Sequence, residues 1–150
     1  MFQSHCELKL STPGRGFFDI TRDVEEFVRE ARIDEGLVTL MVRHTSASLL
    51  IQENADPQVR QDLERFFGRL VVDGDRLFLH RSEGSDDMPA HVRTALTSVS
   101  LSIPVIAGEM VLGTWQGIFL WEHRKAPQTR HVVVHLLGER ASDHSRHGTR

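Results

Sequence analysis

The chain has 150 residues, 39% of them apolar and 26% charged, which suits one domain with a buried core and is too polar for a membrane protein. A net charge of -3 gives no polyanion-binding footprint, and a single cysteine, Cys6, excludes an intrachain disulfide and fits a cytoplasmic setting. No apolar run reaches transmembrane length and no signal-peptide core opens the sequence, so neither nucleic acid nor a membrane is an expected partner.

Residues 2–10 alternate apolar and polar side chains, which predicts a half-buried strand, and Thr12-Pro13-Gly14-Arg15-Gly16 is turn chemistry. Thr21 is placed to cap a helix that buries Val24, Phe27, Val28 and Ala31 and ends at Gly36. Residues 37–42 are apolar but for Thr39, as in a central strand, and run into His44-Thr45-Ser46-Ala47-Ser48. Asp56-Pro57 is a helix start, with Val59, Leu63, Phe66, Phe67 and Leu70 as the buried stripe. A tight turn over 72–76, a short strand over 77–80 and a polar loop over 81–87 follow. The next helix is capped by Asp86 or Asp87 and turns Val92, Ala95, Leu96 and Val99 inward.

Strands over 99–106, 109–122 and 130–137 complete a domain spanning 1–140, and residues 141–150 read as a disordered tail. The simplest solution is an α+β fold, one mixed sheet with helices packed on one face. The 109–122 strand is apolar on both faces, so a sheet covered on one side would need another copy of the chain on the other. Gly113 and Gly117 interrupt that strand, marking a bulge or the close approach of a ligand or second backbone.

Nine histidines draw attention to imidazole chemistry. His44 stands at a strand end beside small polar residues, a place where side chains are aimed at ligands, although capping loop backbone would account for it equally well. His80 and His91 bracket an acidic loop, a set of donors suited to a divalent cation. The spacing matches no zinc signature, and a capping aspartate with two solvated histidines is the simpler account of that loop by itself. Gln116 and Glu122 lie among apolar neighbours on one strand and need partners. His131 and His135 share a strand face about 13 Å apart, too far for one metal.

His44-Thr45-Ser46-Ala47-Ser48, Glu53-Asn54-Ala55-Asp56-Pro57, Asp87-Met88-Pro89-Ala90-His91 and Gly113-Thr114-Trp115-Gln116-Gly117-Ile118 together resemble the YjbQ family, whose members carry the name secondary thiamine-phosphate synthase. The resemblance runs from the first strand to Gly138-Glu139 and implies an α+β domain assembled as a homotrimer. It implies a polar cleft between subunits, with His44, His80 and His91 around a divalent metal, Zn or Mg. Glu53, Gln116 and Glu122 are then the groups that act on or orient the substrate, and Asp87 and Thr114 further substrate contacts. The implied activity is metal-dependent work on a small phosphorylated metabolite, joining a hydroxymethylpyrimidine diphosphate to a thiazole phosphate. A non-catalytic trimeric metal-, anion- or metabolite-binding protein and a metal-dependent hydrolase use the same residues.

Overall fold

A computed structural model describes residues 1–141, so residues 142–150 of the expected tail lie outside the described residues. Strands β1 (Phe2–Thr12) and β2 (Gly16–Asp19) precede helix α1 (Thr21–Ala31), then come β3 (Glu35–Val42), β4 (Ala47–Glu53), α2 (Pro57–Leu70) and α3 (Asp87–Leu96). Strands β5 (Ser100–Ile106), β6 (Glu109–Met110), β7 (Gln116–Glu122) and β8 (Gln128–Glu139) follow. Among the described residues the fold is a single α+β domain, with two sheets in place of one mixed sheet. A five-stranded sheet has the order β1-β8-β3-β5-β6 and a three-stranded sheet the order β2-β7-β4. Every pairing between these strands is antiparallel.

The inner face of the large sheet (Val38, Leu40, Ile103, Val105, Val132, Val134, Leu136) meets Val24 and Val28 of α1 and Leu49, Ile118 and Leu120 of the small sheet in one core. β1 lies along β8 in continuous register from Phe2 opposite Gly138 to Thr12 opposite Gln128. β3 runs between β8 and β5, as its apolar run predicts, but Leu37 and Met41 on its outer face are exposed.

Gly36 does not end α1. Arg32 does, in the left-handed region at φ 54°, with its N–H on the carbonyl of Arg29. Gly36 instead faces Gly138 across β3 and β8, where a Cβ on either residue would strike the opposite backbone and Ile33.

The 109–122 segment is two strands in different sheets. Between them Gln116 donates its N–H to the Gly113 carbonyl, and its own Oε1 accepts from the Gly113 N–H, closing a turn at Thr114-Trp115. Gly117 packs tightly against Asn54 and Thr21, so this glycine admits neighbouring protein. The second apolar face of β7 is covered within the chain: Trp121 stacks on Phe17 at 4.3 Å and meets Phe67 of α2 edge-on at 4.7 Å. Arg60 of α2 lies over Phe119, and Glu64 accepts from the Trp121 indole N–H. The helices therefore do not share one face of one sheet.

α2 starts where expected, with the Asp56 carboxylate accepting from Gln58 N–H and Pro57 in the first turn. Val59, Leu63 and Phe67 are half-buried, but Phe66 and Leu70 of the expected stripe are exposed. Residues 77–80 form no strand, and Leu77 and Leu79 face outward. α3 is rotated from its expected orientation: Asp87, Pro89, Ala90, Arg93 and Thr94 are buried, while Ala95, Leu96 and Val99 are not.

Candidate metal centre

Asp87 opens α3 and is 2% exposed, and His91 lies four residues on, one helical turn above it on the same face. His80, on the irregular segment before the helix, reaches the same point. Asp87 Oδ2 is 2.8 Å from His80 Nε2 and 3.3 Å from His91 Nε2. One ligand atom from each of the three side chains lies within 4.8 Å of the others.

The hydrogen bonds around this cluster fix what its atoms can do. His91 Nδ1 sits 2.8 Å from the Thr45 carbonyl, which only accepts, so Nδ1 carries the hydrogen. In a neutral ring Nε2 then turns its lone pair toward a carboxylate oxygen. Two acceptors hold that arrangement only with a positive charge between them, either a proton on Nε2 or a cation shared by both. Two donors bound at about 2.1 Å to a tetrahedral zinc lie about 3.4 Å apart; the His91–Asp87 pair stands close to that spacing, while the His80–Asp87 pair stands at hydrogen-bond distance. The donor set of two imidazoles and a carboxylate is one that zinc accepts.

Arg124, just beyond β7, holds the acidic side of the cluster. Its Nη1 donates to Asp87 Oδ1 at 2.8 Å, Nε to Asp86 Oδ2 at 3.0 Å and Nη2 to the Glu83 carbonyl at 2.9 Å. Asp86 also accepts from Lys125 N–H and makes no side-chain cap to α3. Burial works against the Asp86 charge, but the Lys125 N–H and the Arg124 guanidinium outweigh it and hold the carboxyl below the usual range. The sequence does not reveal Arg124 or the Thr45 carbonyl. The available signal is an arginine two residues past a strand end, in a chain with one concentrated acidic loop.

His44 lies outside the cluster. Its Nε2 accepts the His131 backbone N–H at 2.8 Å, and its ring stacks on that of His131 at 5.8 Å. Burial, with Arg130 and His131 next in importance, lowers its pKa. His44 and His91 both line a groove of about 420 Å³ with Thr45, Thr94, Ala95 and Val99, and His80 lines a second hollow of about 220 Å³.

Glu122 is not a solvent-facing acid–base group. It is fully buried, accepting from Thr12 Oγ1 and Arg130 Nε on Oε1, and from Arg130 Nη2 at 2.6 Å and Arg124 N–H on Oε2. Gln116 is occupied by the Gly113 turn, and Glu53 caps the approach to α2 by accepting the Asp56 N–H. Exposed Thr114 sits in the same turn. Gln116 and Glu53 pair at one end of β7 and Glu122 stands at the other, roughly 20 Å away at the rise of a strand. One chain therefore does not gather these residues around His80, Asp87 and His91.

Residues 6–139 match the family described as UPF0047 protein YjbQ-like. A UPF0047 protein of Synechocystis sp. is 50% identical over 139 residues, covering 92% of this chain and 95% of the relative. The UPF0047 protein YjbQ of Escherichia coli O157:H7 is 44% identical over 133 residues, covering 88% and 96%. The crystal structure of an uncharacterized conserved protein of the same family from Clostridium acetobutylicum superposes with a TM-score of 0.80 at 34% identity, covering 88% of this chain and 99% of that one.

Proposed function

The chain belongs to the UPF0047 YjbQ-like family, and from that premise we propose that it is a metal-dependent enzyme acting on a small phosphorylated metabolite. His80, Asp87 and His91 hold the divalent cation, zinc before magnesium because two of the three donors are imidazoles. One observation carries this reading: the Thr45 carbonyl commits His91 Nδ1–H, leaving Nε2 facing a carboxylate oxygen that needs a positive charge between them. Arg124 fixes the Asp87 carboxylate, and Thr45 fixes the tautomer of His91, as outer partners of metal ligands do.

When bound, the cation supplies positive charge for phosphate or departing pyrophosphate oxygens. The groove between His91 and His44 receives the organic part of the substrate beside it. Formation of thiamine phosphate from a pyrimidine methyl diphosphate and a thiazole phosphate is the reaction to assay first, followed by metal-dependent phosphate hydrolysis. A homotrimer in the cytoplasm is part of the same proposal, supported by the apolar residues on the outer face of the large sheet and the free thiol of Cys6.

A second reading, a non-catalytic metal- or anion-binding protein, is favoured by a specific observation. Glu53, Asp86 and Glu122 are all engaged by hydrogen bonds within the protein, which takes three carboxylates away from proton transfer. Elemental analysis of untagged protein purified without chelator, wild type beside His91→Ala, tests the metal in both readings. Near-stoichiometric zinc that is lost in the variant is expected, and wild-type protein that takes up none on titration overturns it. Turnover that disappears with the metal then separates enzyme from binding protein.

A further inference from the structure

Phe119, Trp121 and His123 stand two residues apart along β7 and its end, so they share one face, and α2 lies across it. The helix is lightly held there. None of its 14 residues is buried, and Gly68 loosens its interior one position past Phe67.

Beneath α2 positive charge is in excess. Arg93 of α3 is 1% exposed, its Nε and Nη1 have no hydrogen-bond partner, and Nη2 reaches the Val71 carbonyl at 3.3 Å. Two residues along a helix turn a side chain by about 200°, so Arg93 points away from the side that carries His91. The carboxylates nearby are already taken: Asp73 pairs with Arg15 and Lys125, and Glu122 pairs with Arg130. Glu64 of α2 comes nearest, but its Oε2 stays 3.7 Å from Arg93 Nη1, outside hydrogen-bond reach, while its Oε1 accepts from the Trp121 indole N–H. His123 adds another buried atom without a partner, Nδ1, and Arg93 is the charge that acts on that ring most strongly. A buried cation left this short of acceptors is costly, and such costs collect at binding sites.

The helix above supplies the shape of the missing ligand. Glu64 and Phe67 are one turn apart on α2 and set a carboxylate before Arg93 and a phenyl ring edge-on to Trp121. The Glu64 side chain is 24% exposed and can swing into water, whereas Arg93 cannot. We propose that the face beneath α2 is a second binding site, for a small aromatic carboxylate whose ring replaces Phe67 on Trp121 and whose carboxylate replaces Glu64 at Arg93. α2 is the lid of that site, seen closed. The site is separate from the His80, Asp87 and His91 cluster, and the inference does not rest on metal binding.

The test uses the full chain, treated with chelator and carrying Trp115→Phe, which leaves Trp121 as its one tryptophan. Benzoate is expected to change the Trp121 emission saturably. Adding Glu64→Ala removes the competing carboxylate and is expected to tighten benzoate binding about tenfold, the scale of one contact to a charged group. Adding Arg93→Met is expected to abolish benzoate binding while raising the urea midpoint, because an apolar side chain of similar length replaces a poorly paired buried charge. A role for Arg93 in stability alone predicts the opposite shift, so an Arg93→Met midpoint below that of the parent would overturn the proposal and assign the Arg93 donors to ordered water. Emission that benzoate leaves unchanged in the parent and in Glu64→Ala, or benzoate affinity equal in Arg93→Met and the parent, would overturn it as well. Protein that takes up no zinc yet binds benzoate through Arg93 would overturn the metal reading and leave this one standing.

Discussion

His123 follows β7 and is fully buried, with its Nε2 2.8 Å from Ser48 Oγ and its ring tilted against Trp121. Burial, reinforced by Arg93, Arg15 and Arg130, lowers its pKa from 6.5 to about 3. The unfolded chain therefore binds a proton between about pH 6.5 and about pH 3 that the native chain refuses. The contribution of this residue to stability is complete above that window and is lost as the pH falls through it, at up to about 1.4 kcal/mol per pH unit. Urea midpoints taken from pH 7 to pH 4.5 are expected to fall more steeply for wild type than for His123→Gln. Equal slopes would show that acid sensitivity arises elsewhere.

At the scale of elements, Glu122 and Arg130 join the small sheet to the large one. β7 supplies the carboxylate, β8 the guanidinium and β1 the Thr12 hydroxyl, all out of water. Removing one member leaves the other charge buried, so Glu122→Gln is expected to destabilise the protein by about 3 kcal/mol, read as a lower urea midpoint with an unchanged m value. A shift below about 0.5 kcal/mol would show that the pair is dispensable. These connections explain what the sequence could and could not reveal. β1, β3, the buried face of α1 and the start of α2 depend on local periodicity or capping, and they were legible; the ends of α1 were not, since Ile20 precedes it without a side-chain cap and Arg32 closes it. β4 was not, because Ala47-Ser48 reads as loop until β7 lies beside it. The break at 113–115 was hidden because each half of the 109–122 run is apolar, and only the pairing of β6 with β5 and of β7 with β4 separates them. In the candidate site, His80, Asp87 and His91 were visible as residues around one acidic loop. Their convergence depends on Arg124 and Thr45, 37 and 42 positions from Asp87, and no local pattern encodes that.

For the whole molecule, the outer face of the five-stranded sheet presents Leu37, Met41 and Ile106 at 40%, 53% and 56% exposure. Apolar groups spaced across neighbouring strands of one open face suit contact with another copy. Sedimentation velocity is expected to give a trimer, and Met41→Lys is expected to shift it toward monomer without unfolding it. Wild-type protein that sediments as a monomer at micromolar concentration would remove the trimer from the proposal.

The position of β8 also governs how the molecule comes into being. It is the last strand among the described residues, yet it lies between β1 and β3. While a ribosome makes this chain from its N-terminus, β1 waits without its neighbour for more than a hundred residues. The edge of β3 waits with it, a bare edge open to any passing strand. The two open edges are sealed together in one late event when residues 128–139 emerge, so a chain cut short before them keeps an α1 able to form and a large sheet unable to close.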